Sequence, residues 1–171
     1  ASLTGEIRFH RADLASQARV RSLAAELRDT YDRIDALVHN AGLSSRRRSE
    51  TEDGVELTFA VNHLAPYLLT RELLDRLRVS APSRVVVTAS DIHRRATFDF
   101  DDLQFTDEYD SLQAYGRSKL ATIAFTCELA DRLEETEITA NCFHPGFIPS
   151  TNLFRATAIW TRGMIRAAAI I

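Results

Sequence analysis

The sequence has 171 residues, 45% of them hydrophobic and 26% charged, with a formal net charge of −3. That is one domain of ordinary size, long enough for a core of its own. Its charge gives no basic patch for nucleic acid: Arg46-Arg47-Arg48 is a short run in a loop, read as solvated. No histidine or cysteine spacing matches a metal site. Cys127 and Cys142 are read as small buried hydrophobes rather than a disulfide. There is no signal-peptide pattern, and no apolar run reaches the roughly 18 residues that a membrane span needs. The cytoplasm is the expected location.

In chain order, strands and helices alternate. Ile7 to Arg11 predicts a short strand, followed by an amphipathic helix over 16–31. Ile34 to His39 is the next strand, centred on Leu37 and Val38. After a polar loop, residues 54–78 read as a long helix. Val55, Phe59, Leu64, Leu68, Leu69 and Leu73 form its apolar face. Pro66 should kink it or begin a second segment. Arg84 to Ala89 is nearly continuous in apolar residues, as a strand buried on both faces would be. A loop over 91–110 leads into a helix over 111–133, and Ile138 to Phe143 is the last strand before Pro145-Gly146. The pattern predicts an α/β fold: a parallel, doubly wound sheet with helices on both faces.

Ligands of open α/β sheets bind at the carboxyl ends of the strands. Here those ends read Asp13-Leu14, His39-Asn40-Ala41-Gly42, Thr88-Ala89-Ser90 and His144-Pro145-Gly146. Turn chemistry explains the glycines and prolines, but not Ser90 together with Tyr115-Gly116-Arg117-Ser118-Lys119. Tyr115 and Lys119 are four apart in a helix, so phenol and ammonium share one face. A nearby cation would lower the phenol pKa and suit it to proton transfer near neutral pH. Lys119 is the only lysine in the sequence.

With these residues in place the chain resembles the short-chain dehydrogenase/reductase family. The resemblance rests on His39-Asn40-Ala41-Gly42, Asn62 in Val61-Asn62-His63-Leu64, Ser90, Tyr115-x-x-x-Lys119, and Pro145-Gly146 with Ser150-Thr151. The flanks are similar to the retinol-dehydrogenase-like and protochlorophyllide-reductase-like branch: Asp53-Gly54-Val55-Glu56, Leu68-Leu69-Thr70, and Leu153-Phe154-Arg155 after His144-Pro145-Gly146. The resemblance implies an incomplete Rossmann-type domain that moves a hydride between NAD(P)(H) and an alcohol, aldehyde or ketone. It implies Tyr115 as acid or base, with Lys119 lowering its pKa and holding the nicotinamide ribose. Ser90 would hold the substrate oxygen, and Asn62 a water of a proton relay. Asp13 would touch the adenine, and Asn40, Ala41 and Gly42 would line the adenosine side. Pro145 and Gly146 would lie along the nicotinamide, with Ser150 or Thr151 at its carboxamide.

The family's Thr-Gly-x-x-x-Gly-x-Gly turn is absent from these 171 residues. The chain therefore reads as a fragment lacking the first two βα units and the last strand, with residues 156–171 as an apolar tail that covers the substrate cleft. The resemblance implies that the absent strands belong between 7–11 and 34–39, and the expectation is that these two then pair directly. Those units carry much of the choice of cofactor; the branch resemblance leans to NADP over NAD. Substrate choice is expected in the loop over 91–110 and in the tail. The helices over 54–78 and 111–133 are candidate surfaces for a homo-oligomer. Two other readings are an inactive remnant acting as an interaction module, and a sugar-nucleotide epimerase or dehydratase.

Overall fold

Valine and isoleucine suit a pleated, packed surface, and the segments richest in them form the sheet of this computed structural model, which describes residues 5–146. Strands β1 (Ala36–His39), β2 (Ser83–Thr88) and β3 (Ile138–Phe143) lie in the order β1-β2-β3. All pairs are parallel, with Val38 beside Val86 and Val86 beside Asn141. The carboxyl ends therefore share one edge, and the expected core of 34–39, 84–89 and 138–143 is present in the expected order.

Of the three main helices two pack directly on this sheet, and the first packs on one of them. Helix α1 (Gln17–Thr30) starts at Ser16, whose hydroxyl accepts from the Arg19 amide. The expected long helix is divided into α2 (Leu57–Phe59), a π-helical turn over Ala60–Leu64, and α3 (Ala65–Val79), with Pro66 in the first turn of α3. The wide turn takes its hydrogen bond from the Ala65 amide to the Ala60 carbonyl. Helix α4 (Ser111–Arg132) is capped by Asp110, whose side chain accepts from the Leu112 and Gln113 amides.

Two apolar clusters result. Leu77 of α3 and Leu129 of α4 meet Val85, Val87, Ile138 and Ala140 of the sheet. Val20 and Ala24 of α1 pack on Ala65, Leu68, Leu69 and Leu73 of α3. Strand β2 alternates: Ser83, Val85 and Val87 are buried while Arg84 is exposed. Among the described residues one face of the sheet is thus the more thoroughly covered. Helix α4 carries Tyr115 and Lys119 under the end of β2, and this is how the fold positions the site.

Two sequence expectations are corrected. Residues 7–11 form no strand and do not pair with β1; Ile7 and Phe9 are 78% and 94% exposed. Alternating apolar residues make a strand only when a neighbouring strand supplies the ladder, and no described residues supply one there. Cys127 is exposed on α4 rather than buried, and Cys142 is half-buried; both are free thiols. Ser150, Thr151 and the tail over 156–171 lie outside the described residues. Among those described, no helix is long and apolar enough to cross a membrane, and no cluster of metal-ligating side chains occurs.

Candidate active site

The site is built around a buried lysine. Lys119 is 4% exposed, and its ammonium donates to the Thr88 carbonyl at 2.7 Å, at the carboxyl end of β2. Burial lowers its pKa to about 8. Gly42, just beyond β1, lets this corner close: a Cβ there would stand 3.7 Å from Lys119 Nζ and 3.2 Å from Asn62 Oδ1.

Asn62 comes from the π-helical turn and is 2% exposed. Its Oδ1 accepts from the Leu43 amide at 2.9 Å, and its Nδ2 donates to the Leu43 carbonyl at 2.9 Å and to Ser118 Oγ at 3.0 Å. Ser118 donates in turn to the Tyr115 carbonyl at 2.7 Å. The Asn62 carbonyl accepts from Thr122 Oγ1 at 3.1 Å. The Asn62 side chain is thus a strut between the loop after β1 and helix α4. A relay water would have to use its backbone carbonyl, which keeps a second lone pair.

Tyr115 is buried, and burial is the main influence on its phenol, pushing the pKa up; the nearby Ser90 side chain pulls it partly back. The expected lowering by Lys119 is not seen. The ammonium lies 5.8 Å from the ring centre and turns to the Thr88 carbonyl, so desolvation of the phenolate outweighs attraction. Ser90 lies just beyond β2 and caps the short 3₁₀ turn Asp91–Arg95. The structure therefore brings Ser90, Tyr115, Lys119 and Asn62 to one corner.

The residues expected around the adenosine are more open. Asn40, Ala41 and Gly42 are exposed; Asn40 Oδ1 accepts from Thr88 Oγ1 at 3.2 Å. Asn40 and Ala41 line a groove of about 260 Å³ with Ala12, Leu14 and Val38. Asp13 is exposed between two of those lining residues and accepts from the Ala15 amide at 2.9 Å. Pro145 and Gly146 are exposed beyond β3, where Gly146 has φ +81°. His144 Nε2 reaches Asp91 at 3.3 Å, tying the ends of β3 and β2 together.

Three contributors to the frame of the site, Glu56, Ser118 and Thr122, have roles that the sequence did not reveal. Glu56 is 1% exposed; its carboxylate accepts from the Thr58 and Phe59 amides at 2.9 and 2.7 Å and from the Tyr109 hydroxyl at 3.2 Å. A carboxylate just before a helix is a recognisable cap signal. Ser118 and Thr122 carried no such signal, because their partners come from the distant π-helical turn.

Polar residues gathered at the carboxyl edge of a parallel sheet mark the place where open α/β folds bind their ligands. The family model described as short chain dehydrogenase matches residues 1–161, and this chain belongs to that family. It is 46% identical to retinol dehydrogenase 14 of Homo sapiens over 151 residues, 88% of this chain and 45% of that protein. It is 42% identical to human retinol dehydrogenase 13, over 92% of this chain and 48% of that protein. The chain thus spans about half the length of the curated relatives it matches. Among solved structures, a protein from Mycobacterium paratuberculosis is 32% identical with a TM-score of 0.76, covering 98% of this chain and 60% of its own. The Pseudomonas aeruginosa RhlG/NADP active-site complex is 27% identical with a TM-score of 0.64, covering 93% and 66%.

Proposed function

We propose that this chain is the catalytic part of an NADP-dependent oxidoreductase that interconverts an alcohol with an aldehyde or ketone. The observation that carries the reading is that α4 holds Tyr115 and the single lysine of the sequence, both buried, against the turn that Ser90 caps at the end of the sheet. Tyr115 donates a proton to the carbonyl oxygen in reduction and takes it back in oxidation, and Ser90 donates a hydrogen bond to the same oxygen. Lys119 has one protein acceptor among the described residues, the Thr88 carbonyl. An ammonium has three donors, so the remaining ones can hold ribose hydroxyls. That donor set, beside exposed Asn40, Ala41 and Gly42, fits a nicotinamide dinucleotide, which supplies or accepts the hydride when bound. Asp13 would meet the adenine, and Pro145 and Gly146 the nicotinamide. Asn62 is a positioning residue that fixes the loop after β1 against α4. The choice of NADP follows the likeness to the RhlG/NADP complex, and the alcohol or carbonyl substrate follows the likeness to retinol dehydrogenases.

The test is a chimera in which residues 1–171 follow the glycine-rich βα units of a retinol dehydrogenase relative, assayed with NADPH and a panel of aldehydes and ketones. Turnover is expected, and Tyr115→Phe should abolish it while NADPH binding stays within a few-fold. Full activity of that variant would remove Tyr115 from the chemistry. A chimera silent toward every carbonyl would count against the reading. We further propose self-association through α3 and α4, where Tyr67 is 42% exposed beside Phe125 at 5.5 Å between ring centres. A monomer at every concentration in sedimentation would refute it.

A further inference from the structure

The three residues between Tyr115 and Lys119 are all buried, and Gly116 and Arg117 face the loop that follows Ser90. A Cβ at Gly116 would stand 3.0 Å from Ala96 Cβ and 3.3 Å from the Ile92 carbonyl, so the glycine permits close seating of the turn after Ser90. Arg117 is 7% exposed, uncommon for a guanidinium. Its Nε donates to the Thr97 carbonyl at 3.1 Å and its Nη1 to the Asp102 carbonyl at 2.5 Å. Its guanidinium carbon lies 3.8 Å from the centre of the Phe105 ring. Phe105 has φ +52°, a left-handed conformation that a non-glycine residue keeps only where its surroundings hold it. Gln113 adds a bond to the Arg95 carbonyl at 3.2 Å.

We propose that Arg117 is a positioning residue: with Gly116 it docks the segment from Ile92 to Phe105 onto α4, and so holds Ser90, which caps the turn at the start of that segment, beside the Tyr115 end of the helix. The link to Ser90 is short. The Ser90 carbonyl accepts from the His93 amide at 3.2 Å, and the turn Asp91–Arg95 lies against Gly116. One helix thus carries both the proton-transfer tyrosine and the anchor of the loop expected to choose the substrate. A lysine could not replace this arginine. It keeps the charge, but it cannot reach two separated carbonyls and stack on the ring at once.

The inference rests on the proposed function for the meaning of the Ser90–Tyr115 pair, but its test needs neither cofactor nor turnover. The 171-residue chain, Arg117→Lys and Gly116→Ala are compared by amide hydrogen exchange and by NMR titration of [13C]ζ-tyrosine. In both variants amides over 92–106 should exchange at least about tenfold faster while those of β2, β3 and the end of α4 stay unchanged. The Tyr115 midpoint should fall toward the ordinary value of about 10 as water reaches the phenol. Charge is constant in Arg117→Lys, so the fall reports hydration. If that variant does not fold, Gly116→Ala decides alone, since alanine favours the helix more than glycine does. Unchanged exchange over 92–106 would overturn the docking. Faster exchange with an unmoved Tyr115 titration would overturn the positioning of Ser90. Either failure leaves the Tyr115→Phe test of the chemistry standing, and failure of that test leaves this one standing.

Discussion

The side of the site proposed to handle the proton and the side proposed to face the cofactor are built in opposite ways. Asn62, Tyr115, Ser118 and Lys119 are buried and bonded to one another or to the ends of β1 and β2. Asp13, Asn40, Ala41 and Gly42 are exposed, on an edge where Val38 is 58% exposed. The difference teaches which chemistry this chain can hold ready by itself. Proton transfer needs groups fixed against each other, and α4, the π-helical turn and β2 hold the proposed ones so. Gripping a dinucleotide needs amide donors at the phosphates, and these 171 residues contain no glycine-rich turn to provide them.

The largest expected effect breaks along that line. A charge-assisted hydrogen bond contributes roughly 1.5–3 kcal/mol, and about 1.4 kcal/mol is tenfold in affinity. Two or three such bonds to the phosphates correspond to several orders of magnitude. Calorimetry should therefore find NADPH binding to the 171-residue chain at least about a thousandfold weaker than to the chimera. Comparable affinities would mean that the open side grips the cofactor unaided.

Acid should attack the closed side first. His39 is buried with Nε2 2.7 Å from Thr70 Oγ1, and His63 is packed between Phe59 and Phe125 with no partner for Nδ1. Burial lowers both pKa values to about 4. Their folded values lie below the unfolded one, so the unfolded chain takes up protons first as pH falls. Stability is complete above about pH 6.5 and is lost progressively toward pH 4, by roughly 3 kcal/mol for each histidine. Urea melts at pH 7.5 and 4.5 check this. His63→Phe, which keeps an aromatic ring and removes one titrating group, should recover a large part of the loss.

A pair of asparagines compares the sides directly. Asn62→Leu removes three hydrogen bonds and leaves both Leu43 backbone groups without their partner, at a cost of roughly 2–4 kcal/mol. Asn40→Ala, on the exposed rim, should stay within about 0.5 kcal/mol. Equal costs by thermal melting would erase the contrast between the two sides.

The sequence exposed the closed side only in part. Helix α4 and strands β2 and β3 were legible because local apolar spacing determines them. The π-helical turn was not, because its register depends on Asn62 finding Leu43 and Ser118 across the fold. The stretch over 7–11 was misread because Ile7 and Phe9 have the alternation of a strand without the neighbour that makes one. The Tyr115 pKa was misjudged for a related reason. Spacing shows that a cation is near, but not how dry the phenol becomes. Arg117 was passed over as a spacer between two notable residues, and its partners lie in a loop whose shape no periodicity predicts.

The smallest effect belongs to the residue on the border. Gly42 is exposed, and its φ lies outside the left-handed region, so alanine meets no backbone strain there. By chain entropy alone Gly42→Ala would stabilise by about 0.4–1 kcal/mol. Against this, the new methyl would stand 3.2 Å from Asn62 Oδ1, and that oxygen is held by the Leu43 amide and cannot easily retreat. Crowding should win slightly, leaving a net loss of about 0.5 kcal/mol. Asn62→Ala removes the obstructing oxygen, so in that background Gly42→Ala should become neutral or stabilising. A double-mutant cycle in urea would then show a coupling of about 0.5–1 kcal/mol between the two positions. Additive effects would mean that the closed side does not extend to Gly42, and that the border lies one residue further in, between Leu43 and Asn62.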